Sequence, residues 1–286
     1  MLSLLLSLKL WQLTVVVLAL SLAAGFSFST GIRHIFRLRP TDQEADLAID
    51  LMQVTSTYIG ILLAFAGVLA WQDYQAAETA VEDEAGVTSM LYRDLTAYGP
   101  EMSPARVAVR AYVHSVIVDA WPLLREGKRS PATDVKLVAV FNNVAAVTPR
   151  NERQSAIYQE AFTQLNQLVS MRRHRLASSR AKVPAVLWVV ALVGSVLTVA
   201  YASAFVSTRY ASLMIAGTSV TIGLLFLFLL SVDYPFRNRN GVSNQPFVEL
   251  FPIFDGIDRS QGAAAPLPAL REPAPARGRP LAQSGP

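Results

Sequence analysis

The chain has 286 residues, of which 52% are hydrophobic and only 16% are charged, whereas a soluble domain usually carries about 25% charged residues. Its net charge of +4 is small and requires no nucleic-acid partner, because membrane proteins place basic residues at helix ends. The sequence contains no cysteine, which excludes disulfides and thiolate metal ligands.

The shortage of charge comes from four windows that contain no charged residue, at 10–32, 51–72, 183–208 and 210–232. A helix rises about 1.5 Å per residue, so about 20 apolar residues cross the hydrocarbon core of a bilayer. Every window is long enough. The sequence therefore predicts an all-α integral membrane protein with four transmembrane helices, at about 10–31, 51–72, 184–206 and 211–232.

The first window has a second interpretation, a cleaved signal peptide. Lys9 precedes it, and the small residues Ala23, Ala24 and Gly25 resemble a cleavage site. Its apolar stretch of about 20 residues is longer than the usual 7–15 of a signal peptide, which favours a retained helix.

The segment 73–182 is predicted to form a cytoplasmic helical domain, with helices at about 73–98, 104–126, 131–147 and 150–182. The first is expected to continue the second membrane helix, and the last to lead straight into the third. Three steps are expected to begin helices, because a hydroxyl N-cap accepts a backbone N–H and proline suits the first helical position. They are Ser103-Pro104, Ser130-Pro131 and Thr148-Pro149.

Basic residues near the window ends predict the orientation of the chain. One side collects Lys9, Arg172, Arg173, Arg175, Arg180, Lys182, Arg237 and Arg239, and the other collects Arg33, Arg37, Arg39 and Arg209. The positive-inside rule then places both termini and the large connection in the cytoplasm, in the cell (inner) membrane.

The same region carries acidic residues just after the second window, namely Glu78, Glu82, Asp83 and Glu84. They would lie near the basic group that includes Arg172 and Arg175. The two groups could pair, as exposed ion pairs worth about 0–1 kcal/mol each. Alternatively, the basic group mainly sets the orientation. The two interpretations are compatible.

The sequence divides into five expected regions. They are membrane helices 1 and 2 (1–72), the cytoplasmic domain (73–182), membrane helices 3 and 4 (183–236), a juxtamembrane segment (237–260) and a tail (261–286). The tail is rich in Ala, Pro, Gly and Arg, and is predicted to be disordered because it cannot bury enough apolar surface to offset its ordering entropy.

No catalytic motif is visible. The three histidines, His34, His114 and His174, are far apart and do not have the spacing of metal ligands. The sequence also lacks a phosphate-binding glycine loop, a nucleophile elbow and a dinucleotide fingerprint. We therefore expect no enzyme activity, no cofactor and no metal site.

The motif Asp233-Tyr234-Pro235-Phe236 follows the fourth window and is a candidate functional position. A carboxylate at a membrane boundary is either an interfacial residue or part of an ion path. Pro235 ends the helix and exposes backbone carbonyls. The alternative is a simple helix stop with an interfacial aromatic residue.

The motif Asp119-Ala120-Trp121-Pro122 lies within the predicted cytoplasmic domain. Trp121 is expected to pack in the helical core, and Pro122 to bend or end its helix. A polar stretch at the start of the second window is the third candidate, comprising Gln53, Thr55, Ser56, Thr57 and Tyr58. Its hydroxyls either line a water-filled path or bond to neighbouring helices.

Over about 45–250 the chain resembles the bacterial bestrophin-like family of unknown function. The resemblance is carried by Trp71, Tyr74, Glu84-Ala85, Leu91-Tyr92-Arg93, Asp119-Ala120-Trp121-Pro122, Arg172, Arg175, Pro184, Trp188 and Asp233-Tyr234-Pro235-Phe236 with Gly241. The family usually has Glu-Trp-Pro where this chain has Ala120-Trp121-Pro122, with the acid one residue earlier at Asp119.

The resemblance implies a link to bestrophins, which are pentameric anion channels. In those proteins a Pro-Phe step is followed by an acidic calcium clasp, whereas Phe236 here is followed by Arg237, Asn238, Arg239 and Asn240. Calcium gating of that type is therefore not expected. Two arginines suit an anion pore mouth, and they are equally typical of a cytoplasmic helix end.

Two functions remain open at this point. The first is a homo-oligomeric channel or channel-like transporter for inorganic anions, embedded in the lipid bilayer. The second is a membrane-anchored interaction or sensory module without transport. The candidate residues for either are Glu84, Asp119, Trp121, Pro122, Arg172, Arg175, Asp233, Pro235 and Phe236.

Overall fold

The computed structural model describes residues 8–36, 41–180, 182–202, 209–236 and 241–260, and every regular element within them is helical. The α-helices are α1 (Leu10–Phe36), α2 (Asp42–Tyr98), α3 (Ser103–Ser115), α4 (Trp121–Arg125), α5 (Pro131–Ala145), α6 (Glu152–Ser178), α7 (Ala185–Ala202), α8 (Arg209–Val232), α9 (Gln245–Val248) and α10 (Leu250–Ser260). The all-α prediction is confirmed for these ranges. The predicted disordered tail 261–286, and Arg37, Arg39, Arg237 and Arg239, lie outside them.

The helices group into two compact units. The first unit takes its described residues from Met1–Thr79 and Leu176–Ser243, and the second from Ala80–Arg175 and Asn244–Pro286. Helix α2 contributes to both, because its 57 residues run without a break. The predicted continuation of the second apolar window to about residue 98 is thus confirmed. Helix α2 ends where Gly99 adopts a φ of 130°, a left-handed value that glycine tolerates.

Four helical stretches are long and apolar enough to cross a membrane: Leu10–Ile32, Asp46–Tyr98, Pro100–Arg125 and Ser212–Val232. The sequence instead predicts one span at about 184–206, where the structure has the shorter apolar stretch Ala185–Tyr201. Pro100–Arg125 differs from the other three, because 56% of its most apolar window is buried inside the protein against 17–22%. Burial against protein explains its apolar residues without a bilayer.

Three expectations about helix ends are wrong. Helix α6 does not lead straight into α7, because Pro184 disfavours the helical conformation at Val183 and α7 begins at Ala185. Ser103 does not cap α3, because a short 3₁₀ turn, Pro100–Met102, precedes it and no side chain caps the helix. Thr148 does not begin α6. Asn151 accepts from the Gln154 N–H at 2.8 Å, one residue before the helix begins.

Ser130 does cap α5, since its hydroxyl accepts from the Thr133 N–H at 3.3 Å. Between α3 and α4 the chain forms one π-helical turn, Val116–Ala120. The Trp121 N–H donates to the Val116 carbonyl across this turn. The wider turn suits the missing N–H of Pro122, so the proline changes the pitch of the helix without ending it.

The core of the first unit lies on one face of α2. Leu63, Ala66 and Ala70 are buried there with Ala191 of α7 and Leu229 of α8. Two aromatic stacks flank this core, Trp71 on Tyr74 and Trp188 on Phe226, with ring centroids 5.8 Å apart in each. The opposite face of α2 remains exposed.

Helices α1 and α8 run antiparallel and pack through small residues. A Cβ atom added to Gly25 would lie 2.0 Å from the Ser219 hydroxyl, and one added to Gly223 would lie 2.7 Å from the Ser21 hydroxyl. Small residues four apart allow close approach of helices, which is a common way to pack helices in lipid.

We expect Gly223→Leu to destabilise the first unit by about 1–3 kcal/mol, the cost of overpacking a close contact. Gly217→Leu is the matched control, because Gly217 lies on the same helix and nothing stands within 4 Å of its added Cβ. The midpoint of thermal unfolding in detergent measures both. Equal midpoints for the two variants would contradict the packing described.

Candidate functional site

A buried ion pair lies at the centre of the second unit, between α2 and α6. The Arg175 Nε donates to Glu84 Oε2 at 2.7 Å, and Nη2 donates to Oε1 at 3.3 Å. Both side chains are 0% exposed. The sequence predicts pairing of these two charge groups as exposed pairs, whereas this pair is fully removed from solvent.

Tyr112 of α3 completes the coordination of this carboxylate. Its hydroxyl donates to Glu84 Oε1 at 2.5 Å. Burial raises the pKa of Tyr112 well above its ordinary value, and the negative charge of Glu84 raises it further. The phenol therefore stays protonated and acts as a donor.

Aromatic rings cover the guanidinium of Arg175. It lies 5.8 Å from the ring centroid of Trp121 and 5.6 Å from that of Phe247 in α9. Arg175 Nη1 has no hydrogen-bond partner among the described residues, so cation–π attraction takes the place of a hydrogen bond on this side. Glu84, Tyr112, Trp121, Arg175 and Phe247 are called the Glu84 cluster below.

Arg172 lies one turn before Arg175 on α6 and extends the Glu84 cluster. Its guanidinium lies 5.8 Å from the ring centroid of Tyr112. It donates to the Thr133 carbonyl at 3.3 Å and forms an ion pair with Asp134 of α5. Arg172 thereby ties α6 to α3 and α5.

Only Trp121 of the Asp119-Ala120-Trp121-Pro122 motif belongs to the Glu84 cluster. Trp121 is 3% exposed, whereas Pro122 is exposed. The carboxylate of Asp119 accepts from the Ser115 hydroxyl at 2.7 Å, one helical turn earlier. Asp119 thus bonds to its own helix and not to Arg175 or Tyr112, the hydrogen-bond partners of Glu84.

A second buried network in the second unit was missed by the sequence analysis. Asp258 of α10 accepts from Arg106 at 2.9 Å, from Arg110 at 3.0 Å and from the Tyr92 hydroxyl at 2.8 Å. Arg110 also pairs with Asp255 at 2.6 Å. These five residues are called the Asp258 cluster below.

The Asp258 cluster is closed by an aromatic stack. The ring of Phe254 lies 4.0 Å from that of Tyr92, and Arg110 lies 5.4 and 5.6 Å from the two centroids. Burial raises the pKa of Tyr92 to about 12. Its phenol stays protonated at neutral pH and can donate to Asp258 while accepting from Arg110 Nε at 2.9 Å.

The sequence does contain a signal for this network. Phe247, Leu250 and Phe254 recur every three or four residues, and Asp258 follows at the same spacing. All four are buried. The segment 237–260, interpreted as juxtamembrane, therefore contains two helices that fold into the second unit.

The Asp233 motif lies in the first unit, at the end of α8. Asp233 Oδ1 accepts from the Val183 N–H at 3.1 Å, just before α7 begins. Tyr234 has a φ of 64°, and the Pro235 carbonyl accepts from the Val242 N–H at 2.8 Å. Phe236 is 2% exposed. These contacts tie the end of α8 to its neighbours.

The polar stretch of α2 lies on its exposed face. Gln53, Ser56, Thr57 and Tyr58 are exposed, and Thr55 is partly buried. Thr57 bonds to the Gln53 carbonyl of its own helix at 2.8 Å. Among the described residues, no group of three or more His, Asp or Glu side chains could hold a metal ion.

The family model of the bestrophin-like domain matches residues 19–247. The chain belongs to the bestrophin-like family. This agrees with the family indicated by the Trp121, Arg175 and Asp233 motifs. None of the curated proteins matches the sequence significantly.

The fold of this bestrophin-like protein is similar to two crystal structures. One, of a membrane protein variant, has 13% identity and a TM-score of 0.61, over 87% of this chain and 98% of that chain. The other, of a mutated bacterial bestrophin homologue from Klebsiella pneumoniae, has 14% identity and a TM-score of 0.59, over 87% and 97% of the two chains. Membership of this family and the long apolar helices together identify the chain as a membrane protein.

This bestrophin-like protein has two buried ionic clusters and one exposed polar helix face. In the two buried clusters the opposite charges neutralise one another, so both clusters act as structural connections between helices. Among the residues that the structure describes, none covers the polar face of α2 in a comparable way. This face is the candidate functional surface.

Proposed function

We propose that this protein is a homo-oligomeric ion channel of the cell (inner) membrane, with α1, α2, α7 and α8 crossing the bilayer. Both termini and the second unit then lie in the cytoplasm, on the side with more basic residues. Membership of the bestrophin-like family supports the channel. One observation carries it further: α2 exposes polar side chains within its uncharged window.

Polar side chains on this face do not suit a lipid-facing helix. Gln53 and Ser56 are exposed, and a polar group in hydrocarbon costs free energy unless it finds a partner. Gly60 and Ala64 continue the same stripe and are also exposed. Such a face is better matched to a water-filled path or to another protein surface.

An apolar stripe beside these residues supports self-association. Leu47, Leu51, Val54, Tyr58, Ile61, Phe65 and Val68 are all at least 43% exposed. Their spacing alternates between three and four residues, the pattern of helices that pack along a coiled-coil seam. Copies of α2 could thus surround an axis, with the apolar stripe between neighbours and the polar stripe toward the lumen.

Two classes of ion are candidates for transport, anions and cations. Resemblance to bestrophins favours inorganic anions, and the 51–72 window contains no carboxylate that would repel them. Cations are the second candidate, because Asp50 and Asp46 are exposed about one and two turns, respectively, before Gln53. A ring of such carboxylates at a pore mouth attracts cations. Anions are the proposal here.

Reconstitution into liposomes tests the proposal, with chloride and potassium flux measured separately. We expect chloride flux from purified wild-type protein. Potassium flux alone would favour the cation alternative. No flux of either ion from well-folded protein would contradict the channel function. A monomer with a specific soluble partner would favour the interaction or sensory module.

The absence of cysteine allows a sharper test of the α2 face. We expect a charged, thiol-reactive reagent to abolish most of the flux through Thr57→Cys and to leave wild type unchanged. Val189→Cys on α7 is the matched control, because Val189 is 59% exposed and lies on another helix. Complete labelling of Thr57→Cys without inhibition would show that this face of α2 does not line the conduction path.

A further inference from the structure

A groove in the first unit lies between α1, α7 and α8. Its volume is about 690 Å³, within the range of about 300–1,000 Å³ that ligand-binding sites occupy. The groove exists because Ala24, Gly25, Ser195 and Ser219 stand where larger side chains would fill the space. No charged residue lines it.

The groove runs along the helices. Its lining extends from Val17 to Phe28 on α1 and from Ser219 to Leu230 on α8, which corresponds to about 16 Å at 1.5 Å per residue. One leaflet of the hydrocarbon core is about 15 Å thick, half of about 30 Å. The groove therefore has the length of an extended lipid chain in one leaflet.

The lining has the chemistry of hydrocarbon with a few hydroxyls. Val196, Val199 and Ile222 supply apolar walls. The Ser195 hydroxyl bonds to the Ala191 carbonyl of its own helix at 2.7 Å, so it makes no demand on a ligand. The buried Ser219 hydroxyl has no hydrogen-bond partner among the described residues, but it is one polar atom in a lining without charged side chains. An acyl chain therefore matches these walls better than a charged occupant does.

We propose that this groove retains one acyl chain of a membrane lipid as a specific, long-lived ligand. The groove is separate from the surface assigned to self-association, because no residue of α2 lines it. A second copy packed along α2 would leave it to lipid. The proposal rests on the membrane placement of α1, α7 and α8 given above, and not on ion conduction.

A phospholipid with a photoactivatable diazirine in its acyl chain tests this. The full-length protein is reconstituted with the probe and irradiated, and the labelled peptides are mapped. We expect label concentrated on 17–28 and 219–230. Labelling of every apolar helix in proportion to its exposure would indicate annular lipid only. That result would overturn the proposal of a specific acyl-chain site in the groove. No label on these helices would contradict their membrane placement, whatever the flux assay shows.

A variant that fills the groove adds a second readout. Ala24→Trp is expected to reduce the label on 219–230 about tenfold, which corresponds to about 1.4 kcal/mol of lost affinity. Val189→Trp is the matched control, since Val189 is exposed on α7 and does not line the groove. Native mass spectrometry of delipidated protein should show one retained lipid per protomer in wild type and in the control. Unchanged labelling and retention in Ala24→Trp, with an unaltered elution profile, would overturn the proposal.

Discussion

Glu84→Ala is expected to destabilise the second unit by about 3–5 kcal/mol, the cost of removing one partner from a buried ion pair. Arg175 is 0% exposed, so its charge would remain in the core without a carboxylate. Tyr112 would also lose the acceptor of its hydroxyl. Thermal unfolding in detergent, followed by circular dichroism, measures the loss.

Two controls separate the ion pair from other effects. Glu82→Ala removes an exposed carboxylate from the same helix and is expected to cost less than about 0.5 kcal/mol. The double variant Glu84→Leu with Arg175→Met removes both charges. It is expected to recover most of the stability, because apolar replacement of a buried pair is often neutral. A double variant as unstable as Glu84→Ala would show that packing, and not charge, dominates.

The apolar windows made the helices of the first unit predictable. An uncharged window of more than about 20 residues has few structural alternatives, and α1, α2 and α8 cover windows predicted from the sequence. The ends of helices were less predictable. Ser130 caps its helix and Ser103 does not, although both precede proline, because Ser130 has the extended backbone of an N-cap whereas Ser103 is itself helical.

The Glu84 cluster was predictable only in part. Glu84, Trp121 and Arg175 were candidates individually, because their motifs resemble a family. The sequence indicates that their two charge groups could pair, but not which residues pair or that the pair is buried, since Glu84 and Arg175 are 91 positions apart and no local pattern identifies such a contact. Burial also changes what the pair does: an exposed pair adds little, whereas this one links α2 to α6 and cannot lose one partner cheaply.

The Asp258 cluster was missed for a different reason. Five acidic residues follow the fourth window, at Asp233, Glu249, Asp255, Asp258 and Glu272, and the sequence alone does not show which of them is buried. In the structure, Asp258 is the more buried of the two aspartates of α10. Its side chain is 7% exposed, against 48% for Asp255 three residues earlier. The apolar spacing before it was visible, but its arginine partners lie about 150 positions away in α3.

The difference between these two aspartates gives the second large prediction. Asp258→Ala is expected to release α10 from the second unit, because Arg106 loses the carboxylate that it contacts at 2.9 Å and Arg110 and Tyr92 lose a shared acceptor. The cost is expected to be about 3 kcal/mol. Amide hydrogen exchange across α10 should then be faster by roughly a hundredfold, since about 1.4 kcal/mol corresponds to a factor of ten.

Asp255→Ala is the matched control on the same helix. Arg110 keeps Asp258 and Tyr92 in that variant, and the half-exposed carboxylate of Asp255 contributes only about 0–1 kcal/mol. Exchange across α10 should therefore change little. Equal exchange in the two variants would mean that Phe254 and the apolar face hold α10 without help from the ion pairs. A large effect of Asp258→Ala alone would show that a single buried carboxylate joins α10 to α2 and α3.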